Sequence, residues 1–401
     1  MKKLKYVSLI SGLLLLSIQP VMAGWLDSLQ RWGKPVSTQE IELEPEKYCI
    51  EFYQQGKFTR ALFACSIATK KDKSFYYYKA MTEYWGGLSN LELTIADLKE
   101  AKQFLETKQD VENKQKLSKV YFALATLYDI HAQELRMVSG KDYRAIAKEY
   151  YEKALSLAEE TNEKNIQAFA LARLGAYYVD KSDLEKAEMY LQRAVKAWEE
   201  TKETVEISKD RIEREKIELY SKLGELAYKR KNYAEAEENF KKVLDIVRKC
   251  CTEELAGYWN WYGVWLYRMG KYDEAEEYIK KAIKTVEREL KKLQERGYRE
   301  PKYKITDRLK KLAIWYENLA EIYIKKNNIA QAKESLLEAN RKYKQLESEL
   351  RGIEQRNILL FGSSGVGTTA WDRQTITKRI EWNEKKIKQL IEMNKQGEEK
   401  K

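Results

Sequence analysis

The strongest constraint in this chain is a spacing. Four times the same two-part pattern occurs: a run with large apolar and small residues on one helical face, a break, and a second such run. In each case the small site of the first run lies twelve residues ahead of the small site of the second. Gly175 precedes Ala187, Gly224 precedes Ala236, Gly263 precedes Ala275, and Ala320 precedes Ala332. The pattern is plainest in residues 218–249. There Tyr220, Leu223, Gly224 and Ala227 share one face, and Tyr233, Ala236, Phe240 and Val243 share another, at three-and-four spacing. Lys231-Asn232 interrupts the two, and Asn takes turn conformations readily. Two amphipathic helices joined by so short a turn pack antiparallel. A small residue on each lets the backbones approach where they cross.

Looser copies extend the pattern in both directions. The small sites of the second runs are Ala61, Thr94, Ala147, Ala187, Ala236, Ala275 and Ala332, at uneven intervals. This arrangement resembles the tetratricopeptide repeat, and the uneven steps resemble its longer-repeat relatives. The resemblance implies an all-α, right-handed superhelical array, an α-solenoid of about seven antiparallel helix pairs over residues 46–343. Two charged linking stretches, 196–216 and 285–311, lengthen the steps and are expected to form long helices or helical hairpins. Around Ser139-Gly140 an insertion predicts longer helices or a protruding loop.

The two ends read differently. Residues 1–23 have a basic start at Lys2, Lys3 and Lys5, an apolar run from Val7 to Ile18, and Val21-Met22-Ala23 before Gly24. That pattern predicts a cleavable signal peptide, cut after Ala23, and export to the periplasm or beyond. The apolar run is short for a permanent span, and no second one follows. Residues 24–45 carry Trp25, Leu26, Leu29 and Trp32 on one helical face. They are expected to cap the array, and contact with a membrane surface is open to them. Residues 344–401 are expected to hold capping helices, a Gly/Ser loop at 362–369 and a charged tail. Ile376, Ile380, Ile387 and Leu390 would face the open end.

Composition removes several functions. The net charge of +11 falls to about +8 without the leader lysines, and no Lys/Arg stripe of a nucleic-acid binder appears. The loop RNILLFGSSGVGTT has phosphate-loop spacing but Thr368 where the phosphate-neutralising Lys belongs, which argues against nucleotide. His131 is the single histidine, so no nucleophile–base pair built on histidine has more than one centre. No cysteine spacing for a metal or haem occurs, and no cofactor is expected. Cys250-Cys251 can close a ring, pair between chains or stay free.

In the repeat register, Cys49 falls where Gly224 sits and Cys65 where Phe240 sits. The resemblance makes these sites face one another, and an exported chain meets an oxidising compartment, so a Cys49–Cys65 disulfide is expected. The same register would give a ligand groove lined by first-helix residues. These are Ser221, Glu225 and Tyr228, then Asn260, Val264, Tyr267 and Arg268, then Glu317, Glu321 and Ile324. The aromatic run around Tyr258, Trp259, Trp261, Tyr262, Trp265 and Tyr267 covers most of its helix, so it is packed on more than one side. The implied function is a non-catalytic scaffold of the cell envelope, holding a protein or peptide rich in basic or apolar groups. The alternative is an accessory protein that binds cell-wall glycan on exposed Trp and Tyr rings.

Overall fold

The computed structural model describes residues 36–87, 90–296, 302–361 and 367–398. The leader expected at residues 1–23, the Trp25–Trp32 face and the centre of the Gly/Ser loop lie outside the described residues. Those described are α-helical, with short 3-10 turns at Lys73–Phe75 and Thr252–Glu254, and contain no strand. No helix among them is long and apolar enough to cross a membrane.

The chain falls into two compact units. Unit 1 runs to Ala170 and takes in Thr201–Ser208 from further along; unit 2 holds Leu171–Glu200 and everything from Lys209 on. Unit 1 begins with α1 (Thr38–Leu43), whose Ser37 and Glu40 form a reciprocal capping box. Three helix pairs follow: α2 (Pro45–Gln54) with α3 (Phe58–Ala68), α4 (Tyr76–Gly86) with α5 (Leu91–Leu105), and α6 (Val111–Ile130) with α8 (Tyr143–Glu160). The insertion at Ser139-Gly140 is a short extra helix, α7 (Ala132–Ser139), closed by Gly140 at φ +72°. Cys49 and Cys65 are bonded across α2 and α3, with Cα atoms 4.7 Å apart and no exposed surface.

The chain enters unit 2 within α9 (Lys164–Asp180), which pairs with α10 (Leu184–Trp198). Then come α11 (Lys209–Lys229) with α12 (Tyr233–Cys250), α13 (Leu255–Arg268) with α14 (Tyr272–Glu295), and α15 (Lys302–Lys325) with α16 (Ile329–Phe361). The last helix is α17 (Gly367–Glu398), packed on α16. Small first-helix sites are required by close contact. A Cβ on Gly175 would lie 2.5 Å from Leu191, on Gly224 2.2 Å from Phe240, and on Gly263 2.6 Å from Ile279. The breaks between helices share one device: a residue with positive φ followed by the residue before the second helix. Ser182, Lys231, Asn327 and Gly270 take the left-handed conformation. Asp183, Asn232 and Asn328 then accept a bond from a backbone N–H of the next turn.

One linking stretch departs from expectation. Residues 285–295 and 302–311 do extend the helices α14 and α15, but 196–216 is broken, and Thr201–Ser208 is non-helical. Thr201, Thr204, Val205 and Ile207 are β-branched and weaken a helix that the flanking charges would otherwise allow.

Candidate functional site

In unit 2 a cavity of about 810 Å³ opens between α11, α13 and α15. Ile217, Ser221 and Glu225 enter it from α11 because they recur every four residues and so share a face. Tyr258, Trp261 and Trp265 enter from α13, and Arg308, Lys311 and Trp315 from α15. Phe240 on α12 fixes the aromatic wall. It meets Trp261 edge-on at 5.1 Å and stacks on Trp265 at 4.7 Å, while Tyr258 touches Trp261 at 6.1 Å.

The lining is acidic in balance, with Glu218, Glu225, Glu253, Glu254 and Glu289 against Lys222, Arg308 and Lys311. All three cations are engaged from within. Lys222 bonds Asp180 at 2.7 Å and Glu225 at 3.1 Å. Burial works against its charge, but these carboxylates raise its pKa above the ordinary lysine value. Arg308 holds Glu289 at 2.8 Å, and Lys311 holds Asp307 at 2.8 Å. Glu254 pairs with Arg214 at 2.9 Å. Glu218 and Glu253 have no cationic partner among the described residues. Burial first, then the charges of Glu254 and Glu218, raise the Tyr258 hydroxyl above the usual tyrosine range. The result is a wall of ring faces beside unpaired carboxylates.

The expected groove residues separate into three groups. Ser221 and Glu225 line the cavity, and Tyr228 lies beside it with its ring 5.2 Å from Trp265. Asn260, Val264, Tyr267 and Arg268 do not line it. Asn260 accepts a bond from Asn318 at 3.1 Å, Val264 packs on the core, and Arg268 lies over the Trp265 ring at 4.7 Å. Tyr267 packs beside Tyr272 at 5.7 Å. From α13 it is Tyr258, Trp261 and Trp265 that line the cavity. Glu317 and Glu321 lie under α17. Arg379 reaches Glu317 at 3.0 Å, Asn383 donates to it at 3.1 Å, and Lys386 bonds Glu321. The sequence indicates the apolar positions of that helix, but not that its polar positions answer these acids.

Cys250 and Cys251 are bonded to one another. Their sulfurs and Asp210 lie within 4.8 Å, but a disulfide withdraws two of the three donors from metal binding. Trp261, Tyr258 and Trp315 appear in the sequence as aromatic neighbours on their helices, a signal that marks burial without saying which ring faces a cavity.

Comparison with known proteins agrees with the repeat geometry. Two tetratricopeptide-repeat family models match, one over residues 215–288 and one over 316–341. No curated protein matches. Among solved structures, a tetratricopeptide repeat protein from Parabacteroides merdae is similar at 15% identity and a TM-score of 0.43, covering 86% of this chain and 99% of that one. The apo form of RapI is similar at 16% identity and 0.45, covering 75% and 99%. A Rap protein complexed with competence and sporulation factor is similar at 16% and 0.44, covering 93% and 92%. The matched models lie on the helix pairs α11–α14 and on α15–α16, so these pairs are tetratricopeptide repeats.

Proposed function

We propose that this protein is a non-catalytic interaction scaffold of the cell envelope. In this reading the unit 2 cavity takes an extended protein segment that presents cationic and apolar side chains. The observation that carries the ligand chemistry is the wall of Trp261, Trp315 and Tyr258 beside Glu218 and Glu253, which lack a cation of their own among the described residues. A lysine or arginine side chain can lay its stem on a tryptophan face and its charge against a carboxylate. An acidic segment would meet net repulsion there. Export is supported by the leader pattern of residues 1–23 and by the Cys49–Cys65 bond, since such bonds persist in oxidising compartments.

An array of immobilised fifteen-residue peptides tests the ligand class. Peptides with Lys or Arg next to aliphatic or aromatic residues should bind. Trp261→Ala and Glu218→Lys should each weaken the best of them about tenfold or more. A preference for acidic peptides, or indifference to both substitutions in folded protein, rejects the reading. Intact mass of the chain recovered from the envelope should correspond to a start at Gly24.

A further inference from the structure

Unit 1 contains a second, differently charged site, and it is occupied. Both oxygens of the Glu206 carboxylate are bonded. Oε1 accepts from the hydroxyls of Tyr53 and Tyr77, the latter at 3.2 Å, and Oε2 meets the Lys119 ammonium at 2.8 Å. The donors stand on α2, α4 and α6, the first helices of three consecutive pairs. In stacked helix pairs those helices form one continuous face. Tyr53 and Tyr77 are both buried, and Glu206 itself is about one-tenth exposed. Burial first, then in each case the neighbouring tyrosine or Glu206, pushes both hydroxyls well above the usual tyrosine range. They therefore stay protonated and donate.

Glu206 belongs to Thr201–Ser208, the non-helical segment that joins unit 1 from later in the chain. This segment is held as a bound peptide is held. Asn165 grips the main chain of Lys202 from both sides, donating to its carbonyl at 2.8 Å and accepting from its N–H at 3.0 Å. Thr204 and Ile207 close a turn on each other through two bonds of 3.0 Å. Ile207 is buried, while Lys202, Glu203, Thr204, Val205 and Ser208 are exposed. A main-chain grip, a carboxylate and an aliphatic side chain are among the anchors that hold the segment.

We propose that this face of unit 1 is a binding site for a non-helical, turned acidic segment of a partner protein, carrying Glu followed by a large aliphatic residue. Residues 201–208 are its resident, exchangeable occupant. If closing a loop were the whole purpose, an apolar contact would serve as well as a buried carboxylate. Two tyrosine hydroxyls and an ammonium aimed at one point make a site that an acid satisfies best, and leaving them buried and unbonded is unfavourable. The resident segment is consequently replaced by another acid rather than simply lost. Its tether gives it an effective concentration on the order of millimolar, so a free peptide competes poorly with the intact chain.

The test is fluorescence anisotropy with a labelled, end-blocked peptide copying residues 202–208, titrated with the full chain. The Glu206→Ala/Ile207→Ala variant should bind it at least tenfold tighter than the unaltered chain does. Adding Lys119→Met should abolish that gain, as should replacing the peptide's glutamate with glutamine. Should the double variant fail to fold, Glu206→Gln, which weakens the resident segment and leaves the site itself unaltered, should still show a gain. Folded variants that bind no better than the unaltered chain overturn the proposal, as does equal binding of the glutamine peptide.

Discussion

Glu276 shows how single side chains on these helices hold repeats together. Its carboxylate on α14 accepts from Lys280 within the helix, and from Lys326 at 2.7 Å and Tyr323 at 3.0 Å on the neighbouring pair. Burial opposes its ionisation, but these donors outweigh burial and hold the pKa at about 2. A carboxyl whose folded pKa is depressed stabilises the fold above its unfolded value, near 4.5, and loses that contribution as pH falls toward 2. Glu276→Gln should therefore lower Tm at pH 7 by a few degrees, and the gap from the parent should close between about pH 4.5 and pH 2. Equal Tm differences at pH 7 and pH 2 in thermal melts followed by circular dichroism would refute this. The small sites at Gly175, Gly224 and Gly263 were legible from spacing because a fixed crossing needs them. The register that sets Cys49 opposite Cys65 also sets Gly224 opposite Phe240, whose ring it meets. Periodicity reveals which face is buried, whereas the rotation that selects a particular neighbour depends on ring contacts made in three dimensions.

The helices themselves were largely legible from the sequence, and the irregular element was not. Alternating charges made residues 196–216 look helical, yet four β-branched residues and the acid site of unit 1 favour a non-helical, turned course at 201–208. The C-terminal helix poses the complementary problem. Its apolar positions at Ile376, Ile387 and Leu390 are buried, as its pattern suggests. Asn383, fully buried, donates to both Glu317 and Asn340, at 3.1 and 2.9 Å, a role no periodicity encodes. Burial raises the Glu317 pKa, opposed by Arg379 and then by the Asn383 bond. Asn383→Leu removes that bond and should raise it further, at a cost of about 1–3 kcal/mol near neutrality. A raised folded pKa favours the fold below the unfolded value and loses that advantage as pH rises through the folded one. The variant should accordingly be hurt more at pH 7 than at pH 4. Urea melts at the two pH values would refute the assignment if they showed the reverse order.

At the scale of the whole molecule, the consequence is that stability should be local. Each helix pair buries its apolar face on its neighbours, so stabilities add by repeat and interface rather than spreading evenly. The two units differ in what reinforces them: unit 1 carries the Cys49–Cys65 link across its first pair, while Cys250–Cys251 joins adjacent residues at the end of α12 in unit 2. A link across 16 residues is worth about 3 kcal/mol through the unfolded chain it constrains. A bond between adjacent residues closes almost no loop and should contribute little by that route. Cys49→Ala/Cys65→Ala should thus loosen the α2–α3 pair and the α4–α5 pair stacked on it. Exchange of backbone amides, followed by mass spectrometry, should accelerate roughly tenfold or more over residues 45–105. Over residues 215–345, where α11 to α16 pack on a shared core, it should stay at the parent rate. Equal acceleration in both stretches would mean that the chain opens as one cooperative body, and the division into units would then carry no energetic meaning. Unchanged exchange in 45–105 would mean that packing of Phe52, Ala61 and Met81 alone holds the first pairs.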